Sequence, residues 1–357
     1  MSLLLILIVV GAYFVWRRRK EATSTPSKQH SKKLNEVITD VEKNHSAATH
    51  VSSSPDNQVQ LDDGYHIYTV PHERHKSLNL LRGMLAGAAC DGEITNKELI
   101  EIAGWCNAQL SLYDLDSFFP LHPIERKLID TGYINQSDKE TLISGYMNPS
   151  TIRKRFDEQT SKLQFLTGLC YGMISDTKLT VFEIQALNDW LFSNEDLNGS
   201  FLYDNLLILV SKALEAGTSQ AQNINVLYCF LGDLVDYRYC TNLDEQYFDA
   251  LKTQCNATEF IKKDVTITIP GHSVCLSGLS AKASHDELCS IIKDCGGFYR
   301  EHLSSKTDYL ICFDTPDPAW TFPKYGRKFE QAMSLIQAGG KLQVVSESVF
   351  WNAVEDS

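Results

Sequence analysis

The chain has 357 residues, is 43% hydrophobic and carries a formal net charge of −12. That length leaves room for more than one folded unit. The acidic balance excludes broad, sequence-independent binding along a nucleic-acid backbone, which works by displacing counterions with lysine and arginine. The ten cysteines form no Cys-x-x-Cys pair and no Cys/His spacing suited to zinc, and Cys170, Cys229, Cys289 and Cys312 fall in apolar runs. They read as buried, reduced thiols of a cytoplasmic protein, and none resembles an activated nucleophile.

In chain order, residues 2–16 hold no charge, and Arg17, Arg18, Arg19 and Lys20 follow at once. A helix of about 16 residues spans roughly 24 Å, short of a hydrocarbon core of ~30 Å. Snorkelling arginines and an interfacial Trp16 make up the difference. No positive segment precedes the run and no small-x-small cleavage site follows it, so a signal anchor is expected rather than a secretory signal peptide. Basic charge on the far side of the run places the body in the cytoplasm. The expected localisation is the inner (cytoplasmic) membrane, crossed once by residues 1–20. Residues 21–61 are poor in apolar side chains and read as a disordered linker. Residues 17–33 hold seven Lys/Arg and one Glu, a segment able to hold anionic lipid.

Residues 62–263 read as helical. Within them, 78–105 and 163–190 align without a gap at a spacing of 85, with eight identities. Leu78, Leu81, Gly83, Gly87, Asp91, Thr95, Glu98 and Trp105 fall on Leu163, Leu166, Gly168, Gly172, Asp176, Thr180, Glu183 and Trp190. A structural repeat explains this; so does convergent helical patterning. Gly83 and Gly87 lie four apart on one helix face and permit close helix contact. Asp91 and Gly92 end that helix, and Thr95 with Glu98 forms a capping box for the next. Thr180 and Glu183 repeat the box. Phe201 to Ala213 and Ile224 to Tyr237 are apolar at helical spacing.

The stretch Leu80–Leu99 resembles the TerB-like (tellurite-resistance) helical domain, in which an apolar helix runs into Asp-Gly-Glu-Ile/Val-Ser/Thr and a second helix begins. The resemblance implies an all-helical fold, a membrane-proximal stress-response setting and a metal role for acidic residues, here Asp91, Glu93 and Glu98. A divalent cation wants five or six oxygen ligands at fixed spacing. The second copy replaces Gly92-Glu93 with Thr177-Lys178, so beyond the aspartate the two copies share the cap. Membrane-anchored DnaJ-like co-chaperones pair an anchor with such a domain, but this chain lacks the His-Pro-Asp signature of a J domain.

Residues 264–357 alternate strand and helix signals. Strands are predicted at Ser273–Ser277, Phe298–Glu301, Tyr309–Phe313 and Leu342–Val345. Ser284 with Glu287 caps one helix, Gly296 and Gly297 stop it, a second follows Tyr325-Gly326, and Ser346 caps a last one bearing Phe350, Trp351 and Val354. Trp351 is expected as a core anchor. The runs Ser273–Gly278, Asp294–Gly297, Ser304–Ile311 and Phe350-Trp351 resemble a BRCT domain, most of all the kind at the end of bacterial NAD-dependent DNA ligases. The expected fold class is thus multidomain: an N-terminal transmembrane helix, an all-α middle domain and a C-terminal α/β BRCT-like domain with a four-stranded parallel sheet.

A ligase needs an adenylated lysine in Lys-x-Asp-Gly, and neither Asp91-Gly92 nor Asp63-Gly64 has a lysine two residues before the aspartate. No phosphate loop, nucleophile elbow or His-Glu-x-x-His is present either, so no catalysis is expected. BRCT domains are recognition modules. The resemblance implies a phosphate site built from a hydroxyl, the next backbone amide and a lysine at the second helix, which here are Ser277, Gly278 and Lys328. DNA-end-binding members add an arginine near the first helix; His285 stands there. The alternative is that Ser277 and Lys328 only solvate a turn and a helix start. The loop 313–326, with Pro316, Pro318, Trp320 and Pro323, is a candidate partner surface. The expected function is a membrane-anchored adaptor that binds a partner protein or phosphorylated ligand. The alternatives are a non-catalytic accessory factor at DNA ends, in replication, repair or stress response, and a metal-responsive stress protein with a divalent cation as its cofactor.

Overall fold

The computed structural model describes residues 70–109, 122–146, 158–215, 217–315, 320, 322 and 324–357. They form twelve α-helices and one small parallel sheet. This corrects the expected fold class. Among the described residues no helix is long and apolar enough to cross a membrane. The apolar run of residues 2–16 and the linker 21–61 lie outside the described residues. The single-pass inner-membrane placement rested on that helix alone and is withdrawn with it.

Nine helices come first: α1 (Val70–Ala88), α2 (Asn96–Ala108), α3 (Pro123–Thr131), α4 (Gln136–Tyr146), α5 (Glu158–Ile174), α6 (Val181–Ser193), α7 (Phe201–Leu214), α8 (Gln220–Asp233) and α9 (Glu245–Cys255). α1 and α5 are the centre. From Leu163 to Ile174 every residue of α5 is buried, which suits a helix that is apolar all round. The two helices touch backbone to backbone. A Cβ at Gly83 would lie 2.1 Å from the Phe165 carbonyl oxygen, and one at Gly87 would lie 2.2 Å from that of Leu169. Conversely, a Cβ at Gly168 would lie 2.2 Å from the Leu80 oxygen, and one at Gly172 would lie 2.1 Å from that of Met84. The contact advances in the same direction along both chains, so the helices run parallel. Equivalent positions of the aligned segments meet, as where Asn79 Nδ2 donates to Gln164 Oε1 at 3.0 Å.

Both aligned segments also end alike. Thr95 and Thr180 are N-caps with complete capping boxes to Glu98 and Glu183. Asp91 Oδ1 accepts the Glu93 amide at 2.9 Å, and Asp176 Oδ1 accepts the Lys178 amide at 2.8 Å. The smaller helices are tied on by buried polar contacts. Arg82 of α1 grips Glu125 of α3 through Nε at 3.0 Å and Nη2 at 3.3 Å. Glu101 of α2, fully buried, accepts the Tyr171 hydroxyl and the Thr241 amide, both at 2.8 Å. Each carboxylate thereby has donors, which burial of a charge requires.

The C-terminal part comprises β1 (Ser273–Ser277), α10 (His285–Asp294), β2 (Phe298–Arg300), β3 (Tyr309–Cys312), α11 (Arg327–Gln337), β4 (Gln343–Ser346) and α12 (Glu347–Glu355). The sheet order is β2-β1-β3-β4, all parallel. β1 and β3 are fully buried, as central strands covered on both faces must be; β3 is an apolar run, and β1 is apolar between the buried Ser273 and Ser277. Ser284 and Glu287 form the expected capping box, and Gly296 turns with φ +76°. Two local expectations are corrected. Phe350 is the fully buried anchor of α12, whereas Trp351 is half-buried and donates through Nε1 to Glu347 Oε1 at 2.9 Å. Ser346 sits at the N-cap position of α12, but its hydroxyl pairs with that of Ser348 at 2.9 Å instead of capping the helix.

The described residues of the helical body and of the sheet part belong to one compact unit. The Phe201 ring of α7 lies 5.2 Å from Phe329, 6.0 Å from Tyr325 and 5.1 Å from Phe260, centre to centre. Edge-on aromatic packing of this kind adds to ordinary apolar burial. Arg327 Nη2 reaches Thr160 Oγ1 of α5, and Lys76 Nζ of α1 donates to the Trp320 carbonyl at 3.0 Å.

The glycine contacts give a direct test. Gly168→Ala must push two backbones apart and is expected to lower the unfolding free energy by at least ~2 kcal/mol. Gly199, whose Cβ would meet nothing but whose φ is +93°, is expected to cost about 1 kcal/mol as alanine. Urea unfolding of both variants measures this; equal effects would mean that α1 and α5 are not in backbone contact.

Candidate functional site

β1 ends at Ser277, whose carbonyl accepts the Phe313 amide at 2.9 Å. The chain then turns at Gly278 with φ +93°, a conformation that favours glycine. The Leu279 amide donates to the Thr315 carbonyl at 2.8 Å, which fixes the turn against the chain leaving β3. α11 starts beside it. Its N-cap, Gly326, has no side chain to cap the helix, and the Phe329 amide donates to the Gly326 carbonyl at 3.0 Å. Lys328, in the first turn, directs Nζ to the Leu276 carbonyl at 3.3 Å. The fold therefore brings Ser277, which is buried, Gly278 and Lys328 to the C-terminal end of the central strand β1.

His285 is drawn elsewhere. Its Nε2 lies 3.2 Å from the Tyr299 hydroxyl and its Nδ1 lies 3.7 Å from Cys289 Sγ. The histidine thus belongs to an exposed cluster at α10 and β2. Burial raises the Cys289 thiol above its ordinary range, so it is no thiolate nucleophile. Cys170, Cys229 and Cys312 are buried, Cys289 is half-buried, and none of the described cysteines is in a disulfide.

Trp320 is the residue whose place in the site the sequence did not assign. A Cβ at Gly278 would lie 3.0 Å from indole Cζ2, and a Cβ at Gly326 would lie 2.6 Å from Cδ1 and 3.1 Å from Nε1. The indole is wedged between the strand-end turn and the start of α11. The only hint in the sequence was an aromatic in a proline-rich loop facing two glycines far apart in the chain.

Asp91 and Glu98 meet the second aligned segment at the C-terminal ends of α1 and α5. Glu98 is pushed up to about 7, chiefly by burial, against the Thr95 hydrogen bonds and with a further push from Asp176 and Asp91. Glu183 is also pushed up to about 7, by burial first and then by the same two aspartates, against its Thr180 bonds. Lys97 spans the ends by donating to the Asp176 carbonyl at 2.7 Å. A divalent cation does not fit this donor set. Asp91 and Glu98 each hold a backbone amide, and Glu93 enters only through its own amide. No group of three or more His, Cys, Asp or Glu among the described residues is arranged to hold a metal ion.

Comparison with protein-family models, with curated proteins and with solved structures finds no match. The functional reading therefore rests on the geometry of this chain.

The two buried glutamic acids set a pH dependence. Their folded-state values lie above the unfolded ones, so the native state holds more protons between roughly pH 4.5 and 7. Their contribution to stability is full below that window and is lost as pH rises through it. Melting temperatures at pH 5.5 and 8 are expected to differ less in the Glu98→Gln plus Glu183→Gln variant, whose amide oxygens still accept the cap bonds. An unchanged difference would show that the two acids do not titrate in this window.

Proposed function

We propose that the protein is a non-enzymatic adaptor whose BRCT-like C-terminal part holds a phosphorylated segment of a partner protein at Ser277, Gly278 and Lys328. The observation that carries this is the nearness of the strand end at Ser277, the positive-φ turn at Gly278 and Lys328 in the first turn of α11, whose ammonium reaches the Leu276 carbonyl at 3.3 Å. A phosphate offers oxygens to hydroxyl, amide and ammonium donors and gains from the positive end of a helix.

A phosphorylated protein segment suits this strand end better than a DNA end. Residues 265–357 hold eight Lys/Arg against eleven Asp/Glu, and residues 34–264 carry a further −15. DNA would meet this acidic field along its length, whereas a phosphopeptide presents one phosphate locally. His285, which stands where DNA-end-binding members carry an arginine, has its ring turned to the Tyr299 hydroxyl. The helical body, which resembles the TerB-like fold, acts in this reading as the platform on which the recognition part is fixed.

Fluorescence anisotropy with a labelled degenerate phosphoserine peptide and its serine counterpart tests the reading. The phosphorylated peptide is expected to bind preferentially. Ser277→Ala plus Lys328→Ala should weaken it by about tenfold or more, since hydrogen bonds to a charged group contribute ~1.5–3 kcal/mol each. Equal binding by the double variant sinks the proposal. Tighter binding of a 5′-phosphorylated duplex, falling steeply with salt, assigns the strand end to DNA ends instead.

A further inference from the structure

We infer that Cys229 and Cys255 are a redox pair, and that their oxidation to a disulfide by a hydroperoxide braces the joint between the helical body and the sheet part. Cys229 lies within α8, and Cys255 is the last residue of α9. Both are buried, and their sulfurs face each other at 3.8 Å, in contact but unbonded. A disulfide is about 2.05 Å long, so the sulfurs must close by roughly 2 Å, a shift shared by two side chains. The helices that carry them are already held side by side. Lys252 of α9 pairs with Asp233 of α8, and Gln222 Nε2 of α8 donates to the Cys255 carbonyl at 3.4 Å. The Cys255 thiol has one further acceptor, the Lys252 carbonyl at 3.8 Å.

The pair sits where the chain leaves the helical body. After Cys255 the backbone turns at Asn256 with φ +51°. Phe260 packs its ring 5.8 Å from Phe230, the neighbour of Cys229, and 5.1 Å from Phe201. Lys262 then joins β4: its amide donates to the Val344 carbonyl at 3.0 Å, and its carbonyl accepts the Ser346 amide at 3.1 Å. Between Cys255 and Lys262 the chain thus crosses from one part to the other. A bond from Cys229 to Cys255 fixes the start of that crossing to α8 and closes a loop between positions 26 apart. Such a cross-link restrains the unfolded chain and stabilises the folded one.

Hydrogen peroxide balances the chemistry. Cys255 reacts first because it ends a helix, and helix ends open locally at low cost. Cys229 sits inside its helix, with a thiol pushed up by burial and then by Cys255. The Cys255 thiolate attacks one peroxide oxygen. An S–O bond forms, the O–O bond breaks, and hydroxide leaves with the Cys255 proton as water. The Cys229 sulfur gives up its proton and attacks the sulfenic sulfur. The S–S bond forms, the S–O bond breaks, and a second water departs. Two thiols lose two electrons, and one peroxide becomes two waters.

The experiment uses the full chain, reduced and then treated with a small molar excess of hydrogen peroxide. Remaining thiols are alkylated in denaturant, and the unreduced digest is read by mass spectrometry. The expected product joins the Cys229 and Cys255 peptides, lighter by two hydrogens and separated by dithiothreitol. The oxidised protein should melt roughly 5 °C or more above the reduced one. Amides of residues 256–262 should exchange with solvent more slowly. Cys255→Ser should lose the cross-link, the rise and the slowing together. The parent alone reports the cross-link, so a variant that fails to fold leaves the test intact. If peroxide leaves both thiols open to alkylation, or takes Cys255 to a sulfinic acid with no bond to Cys229, the redox pair is wrong. A cross-link that leaves exchange at 256–262 unchanged overturns the brace.

Discussion

Everything described here hangs on the approach of α1 to α5. Gly83 and Gly87 on one helix, and Gly168 and Gly172 on the other, remove the side chains that would keep two helices 8–10 Å apart. The backbones come into contact, and the polar groups that must accompany such close burial are paired across it, as with Asn79 and Gln164. Every other part of the body takes its position from this pair. Arg82 fixes α3 through Glu125, and Tyr171 with Glu101 fixes α2 and the chain around Thr241. The same pair is tied to the sheet part, through Lys76 and Thr160.

That arrangement bears on the adaptor role proposed for the protein. A recognition domain on a flexible neck samples its surroundings independently of what it is attached to. Here Phe201, Phe260, Tyr325 and Phe329 form a shared aromatic core between the two parts. Tyr325 is buried, and desolvation holds its hydroxyl well above the ordinary tyrosine range. Glu330 is also raised by burial, with Arg327 opposing. Such groups are costly to leave in a seam that opens often. The sheet part and the helical body therefore share one buried seam.

The acidic ends of α1 and α5 show how the same motif supports two readings. Asp91 and Glu98 look like ligands when only residue types are counted. In place, their oxygens close an Asx turn and a capping box, and burial raises Glu98 and Glu183 above the usual carboxylate range. Local backbone demand accounts for the carboxylates at these positions.

Much was legible in the chain itself. Capping boxes at Thr95, Thr180 and Ser284, the turns at Gly278 and Gly296 and the alternation of strand and helix after residue 264 follow from local chemistry, which acts over three or four residues and leaves its mark in the sequence. Those signals also placed Ser277 and Lys328 near each other by resemblance. Contacts between distant residues had no such mark. Trp320 facing Gly278 and Gly326, Phe350 rather than Trp351 as the anchor of α12, and His285 turning to Tyr299 depend on which surfaces the completed fold brings together. The sequence by itself determined the elements and their ends. Only the tertiary structure decided that a helical body and a sheet part share one core, because burial and close packing are properties of the assembled surfaces and not of any stretch of chain.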